Sequence, residues 1–298
     1  MVNKAQGLGL SLITKIAGSD VLDQLKLRKF VEKSLYQGSK TSFKTLSKTQ
    51  KLFKATDAHP KQRLPNQSKS LFDLSLTEEQ QMTCDAMRQF ATEVLYPLAN
   101  QADHDEQFPQ QLWMHINELG LNYYALPESF GGVASEKDII SHILIAEHLA
   151  QGDFSLTSGM LSTFSVINAI TQWGSEPIQD QYLSAFAVDS DNRASFAVQE
   201  NTPAFNPMQL KTTAQLINGQ YLLNGEKTLV MLGETADLFL VSAEFQGLPD
   251  VFVVKRDYSI TAQKSPAMGL KATETMTLQF QNTPAERLGD EHFDYSAF

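Results

Sequence analysis

Residues 210–231, LKTTAQLINGQYLLNGEKTLVM, mark the part of the chain where an extended pattern replaces a helical one. The runs 210–217 and 221–223 flank Asn218-Gly219, and this dipeptide is the strongest short signal for a β-hairpin turn. Asn224-Gly225 predicts a second tight turn, which makes 226–231 a separate third strand. Strands are also predicted at 194–198, 238–243, 251–254, 259–262 and 275–280.

The sequence upstream of this region has a helical period. Thr77 and Gln80 have the spacing of a capping box, and apolar residues then recur on one face from Met87 to Leu98. Four more helices are predicted: one from Pro109 to Gly120, one capped by Ser135, one at 157–173 and one at 178–187. Since helices come first and strands second, we predict an α+β fold. An all-α domain at 71–192 precedes a mainly antiparallel β-barrel or sandwich at 193–298.

The net charge of −10 is unevenly distributed along the chain. Residues 1–70 contain 14 Lys and Arg against 4 Asp and Glu, whereas residues 71–298 contain 10 against 30. We predict that 1–70 is a basic helical extension ending in a linker. Two interpretations stay open: an arm that docks on the acidic body or on a partner subunit, and an amphipathic surface attracted to anionic lipid. The acidic body argues against a nucleic-acid partner, because phosphate contacts need cations.

Composition and motifs narrow the class of protein further. The single cysteine, Cys84, predicts a reducing compartment, and no apolar run is long enough to span a bilayer. A cytoplasmic location follows, with peripheral contact at the inner face of the membrane if the basic extension binds lipid. The sequence contains no dinucleotide or phosphate loop, no metal-spaced His/Cys group and no nucleophile elbow. The residues alone therefore indicate a soluble α+β protein and leave cofactor binding open.

Seven stretches in the same order resemble acyl-CoA dehydrogenases. They include LGLNYYALPESFGGV at 119–133, ASFAVQE at 194–200 and ERLGD at 286–290. The other four are 76–103, 170–187, 219–243 and 267–280. The resemblance covers 71–298 and points to the larger bacterial, very-long-chain-like branch. In that family a C-terminal helical bundle follows the position of ERLGD, so we predict that this chain lacks the bundle.

The resemblance implies an FAD-dependent enzyme of fatty acid β-oxidation. Members convert a fatty acyl-CoA to the trans-2-enoyl-CoA, and an electron-transfer flavoprotein reoxidises the flavin. Polarisation of the thioester carbonyl acidifies the α-carbon, and a dry apolar site protects the reduced flavin. The base is a carboxylate of the bundle, so no catalytic residue and no metal ligand is assigned up to Phe298. We therefore predict that this chain is inactive alone and pairs with the missing bundle or forms a homo-oligomer.

The resemblance also assigns site residues in two segments against the flavin and one near the substrate. The predicted flavin contacts are Phe196, Val198, Gln199, Glu200, Leu229, Val230 and Met231, and the predicted substrate contacts are Phe205 and Asn206. Three residues depart from the family pattern. Gln199 replaces the usual Thr, Met231 replaces a hydroxyl donor, and Phe205 replaces a Ser that often meets the thioester ligand.

Two other functions compete with the dehydrogenase. One is a non-catalytic binding protein or fold relic, which would retain the architecture without redox turnover. The other is a different flavoprotein of the same fold, either a flavin monooxygenase or an alkylation-response flavoprotein. The last would need a basic face on the body, and the 10 basic against 30 acidic residues in 71–298 argue against it.

Overall fold

The helical region begins at a fully formed capping box. The computed structural model describes residues 75–134, 139–188, 192–290 and 293–298. The extension predicted at 1–70 and the cap predicted at Ser135 lie outside them. Helix α1, Glu78–Phe90, starts after Thr77. The amide of Gln80 donates to Thr77 Oγ1 and the amide of Thr77 donates to Gln80 Oε1, both at 3.1 Å, so the predicted capping box is confirmed.

The periodicity predicts one regular α-helix for the first helical stretch, but the structure shows an interruption. A π-helical turn, Ala91–Leu95, separates α1 from α2, Tyr96–Asp105. The amide of Tyr96 donates to the carbonyl of Ala91, five residues earlier. Because Pro97 has no amide hydrogen and its ring crowds the preceding turn, the wider turn allows the chain to stay helical through it.

Four further helices complete the helical region within the described residues. They are α3, Gln110–Leu119; α4, Ile139–Ala150; α5, Phe154–Trp173; and α6, Glu176–Val188. Helix α5 begins three residues before the predicted start, because the carboxylate of Asp153 accepts a hydrogen bond from the amide of Leu156 at 2.7 Å. Among the helices that the structure describes, none is both long enough and apolar enough to cross a bilayer.

Helix α5 joins the helices to the strands. Two of its hydroxyl groups bind the first residue of the sheet: Ser162 donates to the carbonyl of Ala194, and Thr163 accepts from its amide, both at 3.0 Å. All three residues are buried. The side chains of α5 therefore satisfy backbone groups at the start of the sheet, and residues 75–298 form one compact unit.

Seven strands in the described residues form one sheet. They are β1, Ala194–Ala197; β2, Thr213–Ile217; β3, Gln220–Val230; β4, Leu238–Phe245; β5, Leu248–Lys255; β6, Ile260–Lys264; and β7, Met276–Arg287. The order is β1-β4-β2-β3-β7-β5, and β6 pairs with β7 outside this path. Strand β5 also pairs with β4, which closes the sheet into a barrel. Strands β1 and β2 are parallel to β4, and the other pairings are antiparallel. The predicted α+β fold with a mainly antiparallel barrel is confirmed.

The second turn predicted in the opening stretch is wrong. Strand β3 runs without interruption through Asn224-Gly225. Between residues 210 and 230, therefore, the chain reverses direction at Asn218-Gly219 alone. The register of β3 on β7 shifts between Leu223 and Gly225, which forms a β-bulge. Gly225 has φ +147°, and a Cβ there would lie 2.6 Å from Thr212 Cα. The glycine therefore serves a bulge and a close backbone approach, which share the Asn-Gly signal with a turn.

Candidate functional site

The two segments predicted to face flavin lie side by side in the structure. One begins at the end of β1, and the other occupies the end of β3 and the turn that follows. The amide of Thr228 on β3 donates to the carbonyl of Gln199 at 2.8 Å. The ammonium group of Lys227 donates to the carbonyl of Val198 at 3.0 Å. Long-range pairing thus brings together residues that are far apart in sequence.

A buried ion pair holds this junction. Lys227 is fully buried, and its Nζ lies 2.9 Å from Glu200 Oε1 and 3.1 Å from Ser242 Oγ. Glu200 is 3% exposed and also accepts the amides of Lys211 and Thr212, at 2.8 and 2.9 Å. The carbonyl of Val198 is the third acceptor, so each of the three hydrogens of the ammonium group has a partner. The pair therefore ties the end of β1 to β3, to β4 and to the segment that leads into β2.

The Glu200 carboxylate has a structural role inside the protein. Sequence reasoning predicts Glu200 as a flavin contact, but the Lys227 ammonium and two amides occupy its oxygens inside the protein. A cofactor contact at this residue is left to its backbone. Lys227 is a site residue that the sequence analysis misses. The available signal was a lysine between Glu226 and Thr228 in a strand, and such a residue is ambiguous until the burial of each face is known.

Burial and pairing act on the pKa values of these two groups. Burial alone raises the pKa of Glu200, but the Lys227 ammonium and the amides of Thr212 and Lys211 outweigh it, and the pKa lies below its ordinary value. Burial lowers the pKa of Lys227 to about 8, against the opposing effect of Glu200. Both groups are therefore mainly charged at neutral pH, as their mutual hydrogen bond requires.

This pair predicts an acid-dependent loss of stability. Since the pKa of Glu200 is lower in the folded than in the unfolded protein, its contribution is fully present above the unfolded pKa. That contribution is lost as the pH falls through the folded pKa. Urea unfolding at a series of pH values from 7 to 3 measures it. We expect the acid loss to be smaller in the double variant Glu200→Gln/Lys227→Met, and an identical acid profile would contradict the assignment.

The three predicted residues on and after β3 have different environments. Leu229 is 51% exposed, Val230 is fully buried, and Met231 is half-buried. The Val230 side chain is part of the core, so a flavin contact at this residue, which stays a prediction, is left to its backbone. Leu229 and Leu232 have φ values of +54° and +50°, which are uncommon for leucine. Such backbone strain is frequent at ligand sites, and at Leu229 it presents an apolar side chain to solvent.

The remaining predicted residues lie at the edges of the junction. Gln199 is exposed, and its carbonyl accepts the amide of Thr228, the residue before Leu229. Phe196 is half-buried on β1. The Phe196 ring lies 5.9 Å from the ring of Phe298, between centroids. In the loop after Glu200, Phe205 is half-buried, while Asn206 is exposed and its Oδ1 accepts the amide of Met208 at 3.0 Å. The substrate roles of Phe205 and Asn206 stay predictions.

Two family models match this chain in the order of its domains. The model for the acyl-CoA dehydrogenase N-terminal domain matches residues 77–189, and the model for the middle domain matches residues 195–283. Together they cover more than half of the chain. The chain belongs to the acyl-CoA dehydrogenase family. The helical region and the barrel are thus the first two domains of that family, and the junction of β1 and β3 lies within the middle domain.

Individual relatives agree with this assignment. An acyl-CoA dehydrogenase of Bacillus subtilis is 29% identical over 231 residues, which are 73% of this chain and 60% of the relative. The structure of butyryl-CoA dehydrogenase from Megasphaera elsdenii has a TM-score of 0.67 at 27% identity and covers 74% of this chain and 61% of that one. An acyl-CoA dehydrogenase of Bacillus anthracis complexed with FAD shares the fold, with a TM-score of 0.64 at 24% identity over 72% of this chain and 38% of that one. The chain spans about 60% of the length of the curated relatives it matches.

Proposed function

We propose that the whole protein is an FAD-dependent dehydrogenase of acyl-CoA thioesters and that this chain supplies the β-domain face of its flavin site. The observation that carries the proposal is the junction of β1 and β3. There the carbonyl of the exposed residue Gln199 accepts the amide of Thr228, and the next residue of β3, Leu229, is exposed and has a positive φ. On the buried side, the ammonium group of Lys227 donates to the carbonyl of Val198 and to the carboxylate of Glu200, and these bonds hold the two segments together. Membership of the acyl-CoA dehydrogenase family supports the choice of flavin.

The residues at the junction fit a large planar cofactor. Leu229 offers apolar surface, Gln199 offers an amide that can donate and accept hydrogen bonds, and Phe196 offers an aromatic ring. FAD would accept the hydride removed from the substrate. The protein groups would hold and orient the ring and exclude water from it, while the buried ion pair keeps the two strands in register.

The proposed substrate is a fatty acyl-CoA, with a role in β-oxidation and an electron-transfer flavoprotein as the electron acceptor. The name of the Megasphaera elsdenii relative specifies butyryl-CoA, a short acyl group. Phe205 would add bulk where a small hydroxyl residue often lies in the family. Phe205 and Asn206 would then affect how the thioester binds rather than the chemistry.

Glu200 is unsuited to act as the base. Its oxygens already accept hydrogen bonds from Lys227, Lys211 and Thr212, and a pKa below the ordinary range makes it a poor proton acceptor. We therefore propose that the α-proton is removed by a carboxylate outside the two matched domains. Turnover of any acyl-CoA by the 298-residue chain alone would contradict this.

The visible absorption spectrum of the purified chain after incubation with FAD tests the flavin site. We expect bound flavin, and weaker binding by Leu229→Asp, because a carboxylate would replace apolar contact while aspartate tolerates positive φ. Leu248→Asp is the matched control, since Leu248 is 70% exposed at the start of β5. Equal FAD binding by the Leu229 variant would show that flavin binds elsewhere. A chain that takes up no FAD would contradict the proposal for these domains.

Non-catalytic ligand binding is a second candidate function. It is favoured by the contact of Phe298 with Phe196, since an aromatic ring of the protein already covers part of the proposed flavin face. A chain that binds FAD or acyl-CoA but shows no reduction of the flavin by any acyl-CoA, even with added acyl-CoA dehydrogenase helical bundle, would favour this candidate over the dehydrogenase.

A further inference from the structure

Residues 293–298, which we name the aromatic segment, pack against the place where α5 and β1 meet. The ring of Phe298 is the centre of the cluster. Its centroid lies 5.1 Å from that of Trp173 and 5.9 Å from that of Phe196. The rings of Phe293 and Tyr295 each lie 6.1 Å from it. These separations are typical of edge-to-face and offset aromatic contacts, which stabilise beyond simple burial.

The aromatic segment also reaches the buried ion pair. Tyr295 is half-buried in this cluster, and burial together with the nearby Glu200 carboxylate raises the pKa of its hydroxyl. Glu200 is the partner of Lys227, whose ammonium group also donates to the carbonyl of Val198 at 3.0 Å. The segment thus contacts Phe196 directly and lies near the ion pair that holds Val198.

Local structure keeps the aromatic rings together. Asp294 Oδ1 accepts hydrogen bonds from the amide and hydroxyl of Ser296, at 2.9 and 2.7 Å. The amide of Phe298 donates to the carbonyl of Tyr295 at 3.2 Å. A short turn of this kind can move as a unit, because most of its hydrogen bonds are internal to it.

Phe196 belongs to the predicted flavin face, and the ring of Phe298 in the aromatic segment lies against it. We propose that residues 293–298 act as an intramolecular cover over the flavin face and that FAD binds only when the segment withdraws. This proposal rests on the flavin site proposed above. A protein whose open form is only a fraction of the population binds its ligand more weakly by that fraction. The cover therefore lowers the apparent affinity of this chain for FAD.

FAD titration of the full chain tests the cover, with Trp173 as an internal reporter. The chain contains two tryptophans, so a Trp113→Phe background leaves Trp173 as the only one. We expect Phe298→Ala to bind FAD about tenfold more tightly than the background protein, since losing the central ring and its aromatic contacts shifts the population toward the open form. Its Trp173 fluorescence without FAD should differ from that of the background protein, because the neighbouring ring is gone.

Two further variants serve as controls. Tyr258→Ala removes an aromatic ring that is 99% exposed and should leave the affinity for FAD unchanged. Tyr295→Leu replaces the ring that stacks on Phe298 with an aliphatic side chain, so it should raise the affinity less than Phe298→Ala. If Phe298→Ala fails to fold, Tyr295→Leu alone decides the question, and an affinity equal to that of the background protein overturns the cover.

The outcomes separate this proposal from the proposed function. FAD binding by the background protein with unchanged or weaker binding by Phe298→Ala would overturn the cover and leave the flavin site standing. Binding by both proteins, about tenfold tighter for Phe298→Ala, would support both. No binding by any of the proteins would overturn both for this chain, because removal of the cover would have exposed no flavin face.

Discussion

Replacement of Lys227 by methionine is expected to lower the free energy of unfolding by about 3–5 kcal/mol, the range for breaking a buried ion pair on one side. The ammonium group lies wholly inside the protein and binds Glu200, Val198 and Ser242. Methionine fills a similar volume but leaves the Glu200 carboxylate buried without a cation. Urea unfolding at pH 7, followed by circular dichroism, measures the loss.

Two further variants distinguish the cost of breaking the ion pair from the cost of changing a lysine side chain to methionine. Lys255→Met has the same change of side chain at an exposed position and should cost less than about 1 kcal/mol. The double variant Lys227→Met/Glu200→Gln should recover much of the loss, because no unpaired charge remains. A cost below about 1 kcal/mol for Lys227→Met alone would mean that water or another group solvates Glu200, and the structural role assigned to the pair would be wrong.

The order of the domains was predictable because it depends on local patterns. The capping box at Thr77 and Gln80 and the hairpin at Asn218-Gly219 each involve neighbours in sequence, and both form as predicted. Asn224-Gly225 shows where this reasoning fails. The same two residues suit a turn or a bulge, and the pairing of β3 with the distant strand β7 selects the bulge. That choice is a tertiary effect with no local signal.

The two segments of the candidate site come from the resemblance rather than from local patterns, and their flavin role stays a prediction. The resemblance located the ends of β1 and β3, but it did not distinguish buried from exposed side chains within them. Val230 is inside the core and Leu229 is outside, because a left-handed residue and a register shift interrupt the alternation of the strand. Similarly, the contact of Phe298 with Trp173 joins positions that no local pattern links. Burial and long-range packing therefore decide which residues of a predicted segment can meet a ligand.

Replacement of Gly132 by alanine is expected to destabilise the protein by about 3 kcal/mol, at the upper end of the range for overpacking. A Cβ at this position would lie 1.9 Å from the carbonyl oxygen of Leu126 and 2.4 Å from its Cβ. Leu126 is fully buried, and its carbonyl accepts the amide of Ala134 at 3.0 Å. The obstacle is therefore backbone fixed by a hydrogen bond, which cannot rotate away as a flexible side chain could. Thermal and urea unfolding measure the effect.

Gly269→Ala is the control for this change, because a Cβ at Gly269 would meet nothing within 4 Å. We expect its free energy of unfolding to stay within about 0.5 kcal/mol of the original protein, as is usual for surface substitutions. A similarly small effect for Gly132→Ala would show that the loop from Leu126 to Ala134 can shift to accept the methyl group. The large effect would instead give a physical reason for the second glycine of the family-like Pro-Glu-x-x-Gly-Gly segment: two backbone segments approach more closely there than any side chain allows.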